Sequence, residues 1–433
     1  MTNSKLQITN YKSLLIKNGD IVLQDKIVKG DLFVSGGKIA KIGGSITDTA
    51  DKVIDAAGLT VMAGFVDMHC HLREPGFEYK EDIASGTAAA VAGGFTSVAC
   101  MPNTSPVIDN AALVTYIKNK AAEVGKCKVY PIGAITKGQE GKELAEMGKM
   151  KLAGAVAASD DGRPVSCGNV MKQALLYAKG QGLPIISHCE DLGIAGSGVA
   201  NDGYNSFKAG LRGISRAAEE AMVARDITLA SAYNAPVHIA HVSTAGSVDL
   251  IRYAKAKGVA VTCETCPHYF SATDDEILNY NTNAKINPPL RTKDDVEAII
   301  AGLKDGTIDA IATDHAPHSS EEKKREFDAA PFGSVGLETS FAVSYTYLVN
   351  KKHITLNQLS RLMSAAPAQI LRVGKGVVAE GEPADLTVID LNSKYKADSA
   401  KFTGKGKNSV FDGRALKGKI IKTIVDGQIK YDN

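Results

Sequence analysis

The chain has 433 residues, 44% hydrophobic and 23% charged, the composition of a globular protein with a sizeable core. Lys+Arg (50) nearly balance Asp+Glu (48), so no field points to nucleic acid, and no apolar run nears the roughly 18 residues that span a bilayer. Seven cysteines, mostly in apolar runs, read as buried reduced thiols, and the opening MTNSKLQITNYKSLL has no apolar leader core, so a cytoplasmic protein is expected.

Residues 1–60 predict short strands joined by tight turns: Leu14-Leu15-Ile16, Asn18-Gly19, Asp20 to Leu23, Asp31 to Val34, Gly36-Gly37, Lys38 to Ile42. The C-terminus has the same texture, with Ala384 to Ile389, Lys419 to Val425, Asp426-Gly427 and Gln428 to Tyr431. Neither end carries enough apolar residues to fold alone, so residues 1–60 and 376–433 are expected to pair into one small discontinuous β-sandwich domain. Between them, over 61–375, short β-branched runs alternate with helix-length spacers. The runs are Val61–Asp67, Thr96–Met101, Lys128–Ala134, Gly154–Ala158, Pro184–Ser187, Pro236–Ala240, Val259–Cys263 and Ile308–Thr313. Eight strand–helix units with parallel strands predict an α/β fold, a closed (β/α)8 barrel of the TIM type, and the wider gaps after the fifth and eighth strands predict inserted loops.

Histidines and acids fall at the ends of those strands. His69 and His71 end the first, two apart and so on one face; Asp160-Asp161-Gly162 ends the fourth, His188 the fifth, His241 the sixth and Asp314 the eighth. The C-terminal ends of barrel strands converge on one mouth. Four imidazoles and two carboxylates gathered there exceed what one metal needs and fit two divalent ions bridged by a carboxylate and a solvent molecule. His238 is three residues from His241 and faces the other way, a structural histidine, as is His315. Asp67 shares the face of His69 one layer deeper, as a core acid or as a partner orienting an imidazole. Cys263, Cys266 and His268 lack the second ligand pair of a structural zinc site.

The segments MAGFVDMHCHLREPG, MPNTSP (101–106), SDDG (159–162), SHCE (187–190), AHVST (240–244), NPPLR (287–291), TDHAPH (313–318), APFGSVGLET (330–339) and PADLTVID resemble the amidohydrolase superfamily and, within it, the type I dihydroorotases, over nearly the whole chain. The resemblance implies two zinc ions, one held by His69, His71 and Asp314, the other by His188 and His241, with a carboxylate and a hydroxide bridging them. Many relatives bridge with a carboxylated lysine, but Lys149 and Lys151 precede the fourth strand and are poorly placed. The SDDG turn resembles the subgroup that bridges with aspartate, at Asp161, with Asp160 the competing acid; Ala158 stands where such relatives carry a bulkier residue. The implied reaction is the reversible cyclisation of N-carbamoyl-L-aspartate to dihydroorotate and water in pyrimidine biosynthesis, with Asp314 as proton shuttle.

Arg73, two residues past His71, offers a forked cation to the substrate carboxylate, against the alternative of a strand-end salt bridge with Glu74 or Glu78. The resemblance adds Asn103, Asn287 and His318 to substrate binding, together with His71 and backbone groups of Phe332 and Gly333. The charged stretch 319–333 is expected to cover the substrate as a lid. A small-molecule substrate is the expected partner, with a homodimer or association with aspartate transcarbamoylase implied by the family. The competing readings are a hydantoinase or allantoinase, which gives Arg73 no partner, and a non-catalytic scaffold, which has no need of a full ligand set.

Overall fold

The computed structural model describes residues 11–433; MTNSKLQITN, most of the stretch examined above for a leader, lies outside the described residues. No helix among the described residues is long and apolar enough to cross a membrane.

The N-terminal segment supplies β1 (Ser13–Val22), β2 (Ile27–Ser35), β3 (Lys38–Gly43), β4 (Lys52–Asp55) and β5 (Thr60–Ala63). Asn18-Gly19 is not a turn: β1 runs through it as a bulge, with Asn18 at φ 61°. Gly36-Gly37 is the turn, both residues at positive φ, joining β2 to β3 as an antiparallel pair.

The barrel wall is a parallel sheet of eight strands. It begins with β6 (Phe65–Cys70), β7 (Phe95–Cys100), β8 (Lys128–Gly133), β9 (Ala157–Ser159) and β10 (Ile185–Ser187). The chain then leaves the wall for an excursion containing the paired β11 (Ala200–Asn201) and β12 (Gly213–Ile214), and returns for β13 (Val237–Ile239), β14 (Val261–Thr265) and β15 (Ala310–Ile311). Helices such as Ile83–Ala92, Ala111–Val124, Gly168–Gln181, Ala217–Tyr233, Ala245–Ala256 and Lys293–Asp305 intervene between wall strands. Met68, Ala99, Ile132, Ala157, Ile186, Ala240 and Ala310 form one buried cluster, a set of neighbours that only the interior of a closed wall brings together. The seam between β15 and β6 closes near the mouth, where His71 N donates to His315 O (2.9 Å) and Thr313 N to Asp67 Oδ1 (3.0 Å).

The C-terminal segment adds β16 (Leu386–Lys396), β17 (Ala415–Val425) and β18 (Gln428–Asp432). The two ends join where β5 pairs antiparallel with β16, Leu386 opposite Ala63. The terminal layer expected as a sandwich is hydrogen-bonded as a single mixed sheet, in the order β18-β17-β16-β5-β1-β2-β3 with β4 beside β1. Its core is Leu14, Ile16, Ile21, Leu32, Val61, Leu386, Val388 and Ile424.

The expected first barrel strand, Val61–Asp67, is thus two strands. Thr60–Ala63 belongs to the terminal sheet and the wall starts at Phe65. Gly64 is the crossover: a Cβ there would lie 2.2 Å from Thr96 Cγ2. Other strands differ in extent as well, and the expected Ile308–Thr313 is paired only over Ala310–Ile311. Gly154, at φ 113°, is the left-handed cap of helix Met147–Ala153, which delays β9 to Ala157. β14 starts and ends two residues later than expected, which brings Glu264 into the strand.

Candidate metal centre and substrate cavity

A bulge in β6 between Asp67 and Cys70 resets the side-chain alternation. Asp67 therefore leaves the face of His69, and its carboxylate accepts from Thr313 N and from Thr313 Oγ1 (2.5 Å) across the seam; it does not orient an imidazole. Burial pushes that carboxyl up to about 7.

His69, His71, Asp161, His188 and His241 converge at the mouth, all buried. Their ligand atoms form two triads that share one carboxylate: His69, His71, Asp161 and Asp161, His188, His241, with atoms within 4.8 Å of one another in each. Asp161 Oδ1 lies 3.3 Å from His69 Nε2, 3.4 Å from His188 Nδ1 and 3.6 Å from His241 Nε2, and its Oδ2 lies 3.6 Å from His71 Nε2. Asp314 Oδ1 sits 3.1 Å from His71 Nε2 and 3.6 Å from His69 Nε2. Asp160 is elsewhere: it accepts Ile135 N (2.8 Å), Thr136 N (3.1 Å) and the Thr136 hydroxyl, and burial raises it to about 6. Lys149 and Lys151 are on the protein surface, paired with Glu146 and the Gln181 carbonyl.

Each of three histidines is held from its far nitrogen. His69 Nδ1 meets Glu264 Oε1 at 2.7 Å, His71 Nδ1 meets Asn103 Oδ1 at 2.9 Å, and His188 Nε2 faces Glu190 Oε2 at 3.3 Å. Glu190 in turn accepts from Asn287 Nδ2 at 3.0 Å. Sequence reasoning missed Glu264 and Glu190; Glu190 sits in the SHCE motif two residues past His188, the spacing that betrays a neighbour. Behind Glu264, His238 Nε2 lies 3.4 Å from Oε2 and its Nδ1 2.8 Å from Thr262 Oγ1.

This donor set suits divalent cations. The buried Nε2 of His69 has no hydrogen-bond partner and is aimed at the shared carboxylate. Burial pushes Asp161 up, but the His69 charge and hydrogen bonds from His188 and His241 outweigh it and hold it well below the carboxylate range. His188 is lifted to about 10 against its burial, by Asp161 and Glu190. Imidazoles gathered around a shared carboxylate, with the outer nitrogens of His69 and His188 fixed by acids and that of His71 by an amide oxygen, form the kind of donor set a metal centre uses. His241 (φ 35°) and Asp314 (φ 46°) both sit in the left-handed region that non-glycine residues avoid, strain borne at the mouth where their side chains meet the cluster.

A cavity of about 220 Å³ opens above the cluster, lined by His71, Arg73, Asn103, Asp161, His188, His241, Asn287, Asp314, His318, Phe332 and Gly333. Arg73, at φ 62°, donates from Nε to Pro317 O (3.2 Å). Neither expected salt-bridge partner is free: Glu74 takes Ile83 N and the Tyr116 hydroxyl, and Glu78 takes Gly76 N. Among the described residues no acid pairs with Arg73, and its Nη2 only approaches His318 Nε2 at 3.4 Å. His318 is neutral, driven down to about 2 by burial and by Arg73 and Lys80. Lys80 Nζ, 3.3 Å from His318 Nδ1, can only donate, so the ring hydrogen is on Nε2 and goes to Phe332 O at 2.8 Å. Arg73 therefore keeps its terminal N–H groups for a ligand.

The stretch 319–333 is less loose than its charges imply. Helix Ser320–Lys323 is capped by Ser319, and Glu322 pairs with Lys80 at 2.9 Å. Lys285 Nζ donates to Phe327 O (2.8 Å) and Asp328 O (3.0 Å), and Gly333 N donates to Lys285 O (2.8 Å). Of the backbone groups of Phe332 and Gly333 expected for substrate, the Gly333 N–H is engaged by Lys285 O and the Phe332 carbonyl by His318. Arg291 of NPPLR points away from the cavity and ties the excursion to the wall through Asn201 Oδ1 (3.0 Å) and Ser243 Oγ (3.1 Å).

A model of the amidohydrolase family matches residues 60–430. The chain is 54% identical to the dihydroorotase of Acetivibrio thermocellus over 418 residues, 96% of this chain and 98% of the relative. It is 52% identical to that of Pelobacter propionicus over 425 residues, 97% and 99% of the two chains. Among solved structures, the L-hydantoinase (dihydropyrimidinase) from Arthrobacter aurescens superimposes with a TM-score of 0.88 at 27% identity, covering 97% of this chain and 96% of that one.

Proposed function

The chain belongs to the amidohydrolase family, and on that premise we propose that its barrel mouth interconverts N-carbamoyl-L-aspartate and dihydroorotate, a step of pyrimidine synthesis. It is a cyclic amide hydrolase, a dihydroorotase, as the near full-length identity to proteins of that name supports.

In this reading the two triads hold a pair of divalent ions, zinc by the imidazole-rich donor set, with Asp161 as the shared carboxylate. When bound, the ions supply an activated water at neutral pH and polarise the amide carbonyl. Asp314, at the cavity beside His71, takes the proton of the attacking water and returns it to the ring nitrogen as the C–N bond breaks; the reverse sequence closes the ring and releases water. Asn103 and Asn287 line the cavity while steadying His71 and Glu190, so each joins substrate contact to the orientation of a ligand. His318 and the Phe332–Gly333 segment form the wall beside Arg73.

The observation that carries dihydroorotate over a neutral ring is Arg73. Arg73 is half-buried at the cavity, and with no acid paired to it among the described residues its terminal N–H groups are free to take a ligand's carboxylate. The substrate's carboxylate meets them bidentately; hydantoin and allantoin offer none. The test is turnover of N-carbamoyl-L-aspartate in the cyclising direction and of dihydroorotate, hydantoin and allantoin in the opening direction. Dihydroorotate is expected to have the highest kcat/KM, and a preference for hydantoin or allantoin would overturn the reading.

A further inference from the structure

Three residues lining the cavity, Ala316, His318 and Gly333, are tied to one side chain from a remote part of the chain. Asn408 donates from Nδ2 to Ala316 O and to Gly333 O, each at 3.0 Å, and its Oδ1 accepts His318 N at 3.0 Å. Its own carbonyl accepts Val335 N (2.9 Å) and Ser334 Oγ (3.1 Å). Both N–H bonds of the amide are spent, and the residue is 4% exposed, so nothing replaces a bond that is lost.

Asn408 belongs to neither the barrel nor the strands of the terminal sheet. It lies between β16 and β17, in a segment that leaves the sheet and reaches the mouth. Lys323 braces the same wall from the other side of Gly333, its ammonium donating to Pro331 O (3.0 Å) and Gly333 O (2.9 Å). Both anchors act on backbone, so they set where the Ala316–His318 and Phe332–Gly333 segments stand without offering a group to the substrate. Neither contacts His69, His71, Asp161, His188 or His241.

We propose that Asn408 is a positioning residue for substrate binding: through it the C-terminal segment fixes the cavity wall beside Arg73, so that affinity for the substrate depends on a side chain that never touches it. The proposal rests on the dihydroorotase reading above. Asparagine suits the place because only an amide pairs two donors with an acceptor at that length; aspartate would set a carboxylate against two carbonyl oxygens.

The experiment uses the full metal-loaded enzyme and the variants Asn408→Asp, Asn408→Ala and Lys323→Gln. Each should raise KM for dihydroorotate by about tenfold or more while kcat stays within about threefold, with metal content unchanged, the pattern of lost binding rather than lost chemistry. In the Asn408 variants trypsin should also cut faster after Lys323, Lys324 or Arg325, since the wall segment is released. An Asn408→Asp protein with wild-type KM, or one whose loss falls on kcat or on metal content, overturns the proposal. Should Asn408→Ala and Asn408→Asp not fold, Asn408→Ser, which keeps a small polar group in place of the amide, decides it by the same split. If the wild-type protein does not turn over dihydroorotate, the functional reading fails, while the trypsin comparison still judges the brace.

Discussion

Glu264 sits between His69 and His238 with no accessible surface, and its carboxyl, which burial alone would raise, is brought down to about 2 by those two histidines. Replacing it with glutamine keeps the shape and removes the charge that orients the His69 ring. Loss of such an outer partner costs roughly 10–100-fold in metal affinity. Glu264→Gln should therefore lose metal to a competing chelator at correspondingly lower chelator concentration, with its circular dichroism unchanged; wild-type retention would refute the orienting role. Asp314 makes the opposite case. Its Oδ1 faces the cavity and His71, and Asp314→Asn keeps the hydrogen-bonding shape while losing the base. The variant should fold as the wild type and lose about 10²–10⁴-fold in kcat, the range for a positioned acid–base group. Near-normal turnover would remove Asp314 from proton transfer. The ligand residues were legible in the sequence because each ends an apolar run. Glu264 was not, since the run was closed at Cys263 and the glutamate fell just outside it.

At the scale of elements, what the sequence hides is where one sheet stops and the next begins. Val61 to Asp67 reads as one strand because nothing in an apolar, β-branched run announces a change of partner. Gly64 makes the change possible, its N–H donating to Asp385 O (2.8 Å) in the terminal sheet while Thr96 of β7 crowds the place of a Cβ. Gly64→Ala should cost about 1–3 kcal/mol of overpacking, read as a lower urea midpoint. Thr96→Ala removes the two atoms that such a Cβ meets first, so the double variant should recover part of the loss; strictly additive effects would show that the clash is not the cause. The bulge in β6 was equally silent in the sequence, and it decides that Asp67 serves the seam while His69 and His71 serve the mouth. The stretch 319–333 reads in the sequence as a charged lid, and its anchoring is invisible there, because charge alone does not distinguish a solvated lysine from Lys323, which burial brings to about 7 as it grips two carbonyls.

Across the whole molecule, the centre is also a staple. Its residues come from the ends of β6, β9, β10, β13 and β15, strands distributed around the entire wall, and the seam between first and last is held near the mouth by few backbone bonds. A cation bound by such a set binds only the closed barrel, so its binding free energy adds to folding stability as RT ln(1 + [L]/Kd), about 4 kcal/mol at a thousandfold excess over Kd. Chelation should thus abolish turnover and lower the midpoint of thermal unfolding together, and titration with zinc should restore both along one curve. The carboxylate and imidazole donors also accept cobalt or manganese, which should restore the midpoint to differing extents. The terminal sheet makes this a single transition: β5 leads directly into β6, and Asn408 returns from the C-terminal segment to the mouth, so tertiary contacts cross between sheet and barrel at both ends of the wall. Fluorescence of a probe on the terminal sheet and ellipticity of the barrel helices should lose their native values at one temperature in the loaded protein. If chelation leaves that temperature unchanged, the triads do not hold a cation that matters to the fold, and the imidazoles at the mouth need another explanation.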